Sequence, residues 1–183
     1  MSANLVSLGQ TRVQSVSIIP TTRKRCNARC LPCIAKMTPG AIKECPEWVD
    51  PSRVEDILDY GRQAGALTAI ITSKSEPTLD YNESPDRFLA IVRQCREKLP
   101  QVDMHTNGLL LRRHHDWLLR MAVAGLNMIT FSIASFDTKL NREIMGIEQQ
   151  PQELISLANS AGIAVRCSLL LTKLTACNVD TVL

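Results

Sequence analysis

The sequence predicts an α/β fold in which about five βα units build a parallel sheet curved into a partial (β/α) barrel, and three observations carry that prediction. Short apolar segments alternate with helical patterns along the whole chain. The helix ends are punctuated in the same way each time, so the unit repeats. Within several strand segments apolar and polar residues alternate, so that one face suits packing helices and the other is partly polar.

Strands are expected at residues 15–20, 67–73, 102–106, 128–135 and 164–172. Between the first two, Val54, Ile57, Leu58 and Gly61 recur at helical spacing, and Phe88, Ile91, Val92 and Cys95 do so before the third. Asp50 and Ser84 suit N-caps because a short polar side chain accepts from the free N–H groups of a first turn, and Pro51 and Pro85 follow them. Gly65, Gly125 and Gly162 each follow an alanine where a helix has to stop before the next strand.

Buried parallel strands normally read as continuous apolar runs. Here Ile129, Phe131 and Ile133 alternate with Thr130, Ser132 and Ala134, and Val165, Cys167, Leu169 and Leu171 with Arg166, Ser168 and Leu170. Asp103, His105 and Asn107 repeat the pattern, as do Thr68 and Thr72. A polar inner face suits a barrel section with helices outside and a hydrophilic pocket at the C-terminal strand ends. An open sheet whose polar residues are satisfied locally fits the same alternation.

A chain of 183 residues with 45% hydrophobic and 21% charged residues can bury one sizeable core. No stretch approaches the ~18 apolar residues of a membrane span, and residues 1–10 lack a basic segment leading into an apolar run, so no membrane association and a cytoplasmic location are expected. A net charge of +3 does not by itself indicate a nucleic-acid partner. After the fifth strand Asn178 or Asp180 can cap a further helix, yet the sequence ends at Leu183. A βα series interrupted at the C-terminus is one reading; a short barrel whose open edge another element covers is the other.

The chemistry lies in the connection of about 30 residues after the first strand, far longer than a usual βα loop. It contains Cys26-Asn27-Ala28-Arg29-Cys30-Leu31-Pro32-Cys33, a CxxxCxxC pattern, in a chain with seven cysteines. Three thiolates can hold three irons of a cubane cluster and leave the fourth open to an outside ligand, which four-cysteine electron-transfer sites do not. A zinc site that adds Cys45 is the competing reading, although zinc sites more often use two separated CxxC pairs. Arg23, Lys24, Arg25, Arg29 and Lys36 make the loop polar, either as a solvated patch or as positive charge that offsets a cluster and attracts an acidic electron donor.

On this motif the chain resembles the radical S-adenosylmethionine (SAM) superfamily, and further segments follow in the expected order. Ser73-Lys74-Ser75-Glu76-Pro77 is similar to the family's Gly-Gly-Glu-Pro segment, with both glycines replaced, and Lys74 has to point away from a bound ammonium; read alone, Glu76-Pro77 is an ordinary turn. Thr106-Asn107-Gly108 and Phe131-Ser132-Ile133-Ala134-Ser135 resemble the branch that includes the molybdenum cofactor cyclase and peptide-modifying enzymes. The resemblance implies that residues 1–183 are a radical SAM core domain, incomplete at the C-terminus. It implies a 4Fe-4S cluster on Cys26, Cys30 and Cys33, and SAM contacted by Pro32, Lys74, Ser75, Glu76, Thr106, Asn107 and Ser132.

It further implies reductive cleavage of SAM, an electron donor such as a flavodoxin or ferredoxin, and a small-molecule or peptide substrate of unidentified structure. A metal-binding module that keeps the fold without cleaving SAM is the alternative. Pro32 stands where the family usually has an aromatic residue against adenine; it offers an apolar face without π stacking, and Trp48 is a possible substitute. Arg166 is a weaker candidate for a substrate contact. Asp103 and His105 are expected to form a hydrogen-bonded pair, and Cys95 and Cys167 to be small core hydrophobes.

Overall fold

The computed structural model describes residues 12–21, 26–33, 48–73, 76–169 and 175. Five parallel strands, β1 (Ser15–Ile18), β2 (Thr68–Ile71), β3 (Gln101–Thr106), β4 (Met128–Ile133) and β5 (Ala164–Leu169), form one sheet in sequence order. The helices between them are α1 (Pro51–Gln63), α2 (Pro77–Glu83), α3 (Pro85–Lys98), α4 (His115–Ala124), α5 (Thr138–Met145) and α6 (Pro151–Ser160). Crossovers between parallel strands are right-handed, so a sheet that always adds its next strand on the same side collects its helices on one face. This is the geometry of a barrel section.

The helix-facing rows are the apolar ones. Val16 and Ile18, Ala69 and Ile71, Val102 and Met104, and Ile129, Phe131 and Ile133 are all buried, together with Val54 and Leu58 of α1, Phe88, Val92 and Cys95 of α3, and Leu154 and Ala158 of α6. Each such aliphatic or aromatic side chain contributes ~1.5–3 kcal/mol on leaving water. Register pairs His105 with Thr130 and Thr130 with Arg166, which puts the predicted polar rows side by side on the other face. There Ser17, Ser132, Arg166 and Ser168 are exposed.

Four expectations need correction. Ile57 is 47% exposed, because the buried line of α1 runs through Val54, Leu58 and Gly61 and leaves Ile57 at its rim. The Ser84 side chain makes no capping bond: Ser84 closes α2 with its own N–H on Asp80 while α3 begins, and its backbone at φ −145°, ψ 79° serves both helices. The segment after Glu76 is helix α2 and not a simple turn, since Glu76 caps it and Pro77 occupies its first position. β1 is shorter than expected, and residues 170–172 of the fifth strand lie outside the described residues.

The ends of the long connection are drawn together at its base. Thr21 forms an antiparallel bridge with Trp48, Val49 N–H donates to the Pro20 carbonyl at 2.9 Å, and Thr21 Oγ1 donates to Asp80 Oδ1 at 2.9 Å. The sequence therefore leaves the sheet and returns to it at one point. Among the described residues no helix is long and apolar enough to cross a membrane.

Candidate active site

The cysteine segment lies beside the C-terminal strand ends because α5 holds its backbone there. Arg29 N–H donates to the Met145 carbonyl at 3.0 Å and Leu31 N–H to the Ile144 carbonyl at 2.9 Å, filling carbonyls that the last turn of a helix leaves free. Ala28 and Cys30 pack on an apolar cluster of Ala134, Ile144, Met145 and Ile147. Cys26 lies at the surface, while Cys30 and Cys33 are half-buried. Local bonds shape the segment: Ala28 N–H donates to Cys26 Sγ at 3.4 Å and Cys33 N–H to the Cys30 carbonyl at 3.4 Å.

Glu76 joins this segment to the strands. Its carboxylate is buried and accepts from Thr78 N–H (3.1 Å), Thr78 Oγ1 (2.8 Å), Thr106 Oγ1 and Asn107 N–H (2.9 Å). Burial pushes its carboxyl above the usual range, and those same donors pull the other way. Asn107 in turn donates from Nδ2 to Asn27 Oδ1 at 2.7 Å, reaching back between Cys26 and Cys30. Partial burial of its sulfur raises the Cys26 thiol, the Ala28 N–H that donates to it pulls the other way, and nearby Glu76, Cys30 and Cys33 raise it further. The three cysteines and Glu76 are therefore electrostatic neighbours.

Residues 21–181 match the model of the Radical SAM superfamily. The chain belongs to the radical SAM superfamily. Members of the superfamily are enzymes that use a 4Fe-4S cluster and SAM. No curated protein matches the chain.

Among solved radical SAM structures, methylornithine synthase (PylB) shares the fold at a TM-score of 0.62 and 18% identity, covering 86% of this chain and 45% of that one. SuiB of Streptococcus suis bound to S-adenosylmethionine matches at 0.61 and 22% identity over 93% of this chain and 37% of its own. The protein anSMEcpe with bound AdoMet matches at 0.63 and 15% identity over 92% and 47%. The chain thus spans less than half the length of each.

The donor chemistry suits the superfamily's cluster: three cysteines in one segment, each able to bind a separate iron. Among the described residues no three His, Cys, Asp or Glu side chains converge tightly enough to hold one metal ion. A cubane binds each thiolate at a separate iron, so it calls for three cysteines spread around one face. Asn27 Nδ2 is buried without a partner beside them, a donor left over where the cysteine segment meets β3. Cys45, the fourth ligand of the zinc alternative, lies outside the described residues, as do Cys177, Lys74 and Ser75.

The other expected site residues occupy distinct places. Thr106 and Asn107 are buried at the end of β3, Ser132 is exposed on the inner face of β4, and Pro32 is exposed on the cysteine segment. Trp48 lines a cleft with Arg87, Ile91 and Gln94 of α3, on the helical side of the sheet, which makes it a packing residue. Cys95 is buried and its thiol is pushed up to about 12 by desolvation, as a core hydrophobe's would be. Cys167 is only half-buried, on the last strand of the sheet among the described residues.

Asp103 lies fully buried under the inner face, where it accepts from Thr130 Oγ1 at 2.8 Å and from Arg166 Nη1 at 3.3 Å. His105 Nε2 lies 3.3 Å from the same carboxylate, yet it makes no hydrogen bond. The expected Asp103–His105 hydrogen bond is therefore replaced by bonds from Thr130 and Arg166, whose strands are brought into register with β3. Asn27, Thr78, Asn141 and Gln149 also belong to the site's framework. They had no sequence signal beyond Thr78 following Glu76-Pro77, since polar side chains in polar stretches read as surface.

Proposed function

We propose that this chain is the core of a radical SAM enzyme in which Cys26, Cys30 and Cys33 hold a 4Fe-4S cluster at the open end of the barrel section, with residues 1–183 forming one core domain. The observation that carries the reading is the docking of the cysteine segment on α5 and, through Asn27, on Asn107 at the strand ends. A cluster held by Cys26, Cys30 and Cys33 would supply one-electron reduction of SAM, and with it the means to start radical chemistry on a substrate.

The chain's own residues bind and orient. Pro32 offers an apolar face to adenine and Ser132 an exposed hydroxyl to the cofactor, while Thr106 and Asn107, buried and bonded within the protein, shape the strand end that meets it. Glu76 already accepts from four donors, so its part is to fix Thr106 and Asn107, while Lys74 and Ser75 are assigned to SAM by the family resemblance alone. The exposed Arg29, with the other basic residues of the loop, favours an acidic electron donor such as a flavodoxin or ferredoxin. A small molecule or a peptide is the substrate; the related SuiB is seen with a precursor peptide. The cytoplasm suits such a cofactor and donor.

Anaerobic reconstitution tests the reading. About four irons per chain, with 5'-deoxyadenosine released on reduction in the presence of SAM, are expected. Cys30→Ala should lose the cluster; full iron content in that variant overturns the ligand assignment. One tightly held zinc and no SAM binding would instead identify a metal-binding module.

A further inference from the structure

The stretch that runs from the middle of α5 into the connection before α6 meets both the cysteine segment and the strand ends without contributing an expected ligand. Asn141 and Gln149, at its two ends, are both fully buried. Asn141 Oδ1 accepts from Ala134 N–H at 2.9 Å and Ser135 N–H at 3.4 Å, groups just beyond the end of β4. Its Nδ2 donates to Gln149 Oε1 at 2.7 Å. Gln149 Nε2 then donates to two main-chain carbonyls, Asn107 at 2.6 Å and Ser132 at 3.0 Å. Each oxygen and nitrogen of the two amides has a partner, and buried polar networks of this kind define one geometry.

Between these residues lie the carbonyls of Ile144 and Met145 that hold the cysteine segment. Gly146 follows at φ +66°, and a Cβ there would come within 2.9 Å of Arg29 Cβ. Only glycine allows so close an approach with that backbone. One short stretch therefore holds the thiolates on one side and the strand ends carrying Asn107 and Ser132 on the other.

We propose that residues 141–149 are the positioning element of the site, with Gln149 setting the strand ends at Asn107 and Ser132 against the loop that carries the three cysteines. This rests on the reading that SAM binds between them. A purely structural role predicts that stability and cofactor binding fail together. A positioning role predicts that they separate, because the thiolates are held by carbonyls of α5 while the polar ledge is held by Gln149.

The test uses the reconstituted full chain and its Gln149→Met and Asn141→Asp variants. Iron content, thermal midpoint, SAM affinity by equilibrium dialysis and the change in the reduced cluster's electron paramagnetic resonance on adding SAM are measured for each. Gln149→Met removes both donations to the strand ends. Asn141→Asp keeps the acceptor for Ala134 and Ser135 and, unless protonated, sets an oxygen against Gln149 Oε1 in place of the donor. Unchanged iron content with SAM binding weakened on the order of 10–100-fold in Gln149→Met, and a smaller loss in Asn141→Asp, is the expected result.

Wild-type affinity and an unchanged spectral response in both variants overturn the proposal while leaving the proposed function intact. Loss of iron in parallel with SAM binding also overturns it, by reducing the element to general support. Should Gln149→Met not fold, Asn141→Asp decides by the same measurements. A wild-type chain that holds a cluster but binds no SAM overturns both readings.

Discussion

Replacing Glu76 by glutamine isolates a single bond in the frame that joins α2 to β3. The remaining carbonyl oxygen keeps Thr78 N–H, Thr78 Oγ1 and Thr106 Oγ1, but the new amide nitrogen faces Asn107 N–H across the 2.9 Å that the carboxylate bridged. A buried N–H left without an acceptor costs about 1–3 kcal/mol. Removing a buried charge works in the opposite direction, and that gain depends on pH. Burial raises the Glu76 carboxyl, so the stability it confers is complete below its unfolded value of about 4.3 and declines as pH rises through the raised folded value.

Glutamine does not ionise and lacks that decline. Glu76→Gln should therefore be less stable by about 1–3 kcal/mol near pH 5, lowering the thermal midpoint by about 2–12 °C, with the difference narrowing toward pH 8. Thermal unfolding of both proteins across that range, without oxygen, measures it. Equal midpoints at the acid end, or a difference that grows with pH, would show that the carboxylate is not held as described.

Gly108→Ala should destabilise by about 2–6 kcal/mol, combining strain at positive φ with overpacking: the glycine has φ +71° and a Cβ would lie 2.8 Å from Leu154 Cδ1 and 2.9 Å from Phe131 Cε1. A denaturant midpoint equal to wild type contradicts it. Phe88→Ala removes a fully buried ring that meets Tyr81 edge-on at 5.6 Å, and about 3–5 kcal/mol should be lost in urea unfolding. Arg112→Ala breaks a 2.7 Å ion pair with Glu153 between partly exposed side chains, so the change should stay below about 1 kcal/mol. A larger loss there would mean that the Arg112 bond to the Glu148 carbonyl contributes more than the ion pair.

The parts of the site that were legible in the sequence depend on near neighbours along the chain. CxxxCxxC places three cysteines in one segment whatever the rest of the protein does, and Asp50-Pro51 marks the start of α1 by its cap, whereas Glu76-Pro77 reads as a turn and opens α2 only in the structure. The role of Glu76 was not legible, because its partners Thr106 and Asn107 come from another strand. Asn141 and Gln149 were invisible for a related reason. Glu148-Gln149-Gln150 reads as a solvated turn, and only the backbone's approach to β3 and β4 buries the middle residue.

Strand alternation and helix caps are local consequences of backbone period and side-chain size, and they were enough to establish the α/β order and the inner and outer faces. Pairing among distant polar groups was decided by packing: Asn27 with Asn107, Asp103 with Thr130 and Arg166, and Gln149 with two strand ends. A hydrogen bond needs its atoms within a few tenths of an ångström of one distance. Strand register and helix docking supply that precision, and neither can be read from residue spacing alone.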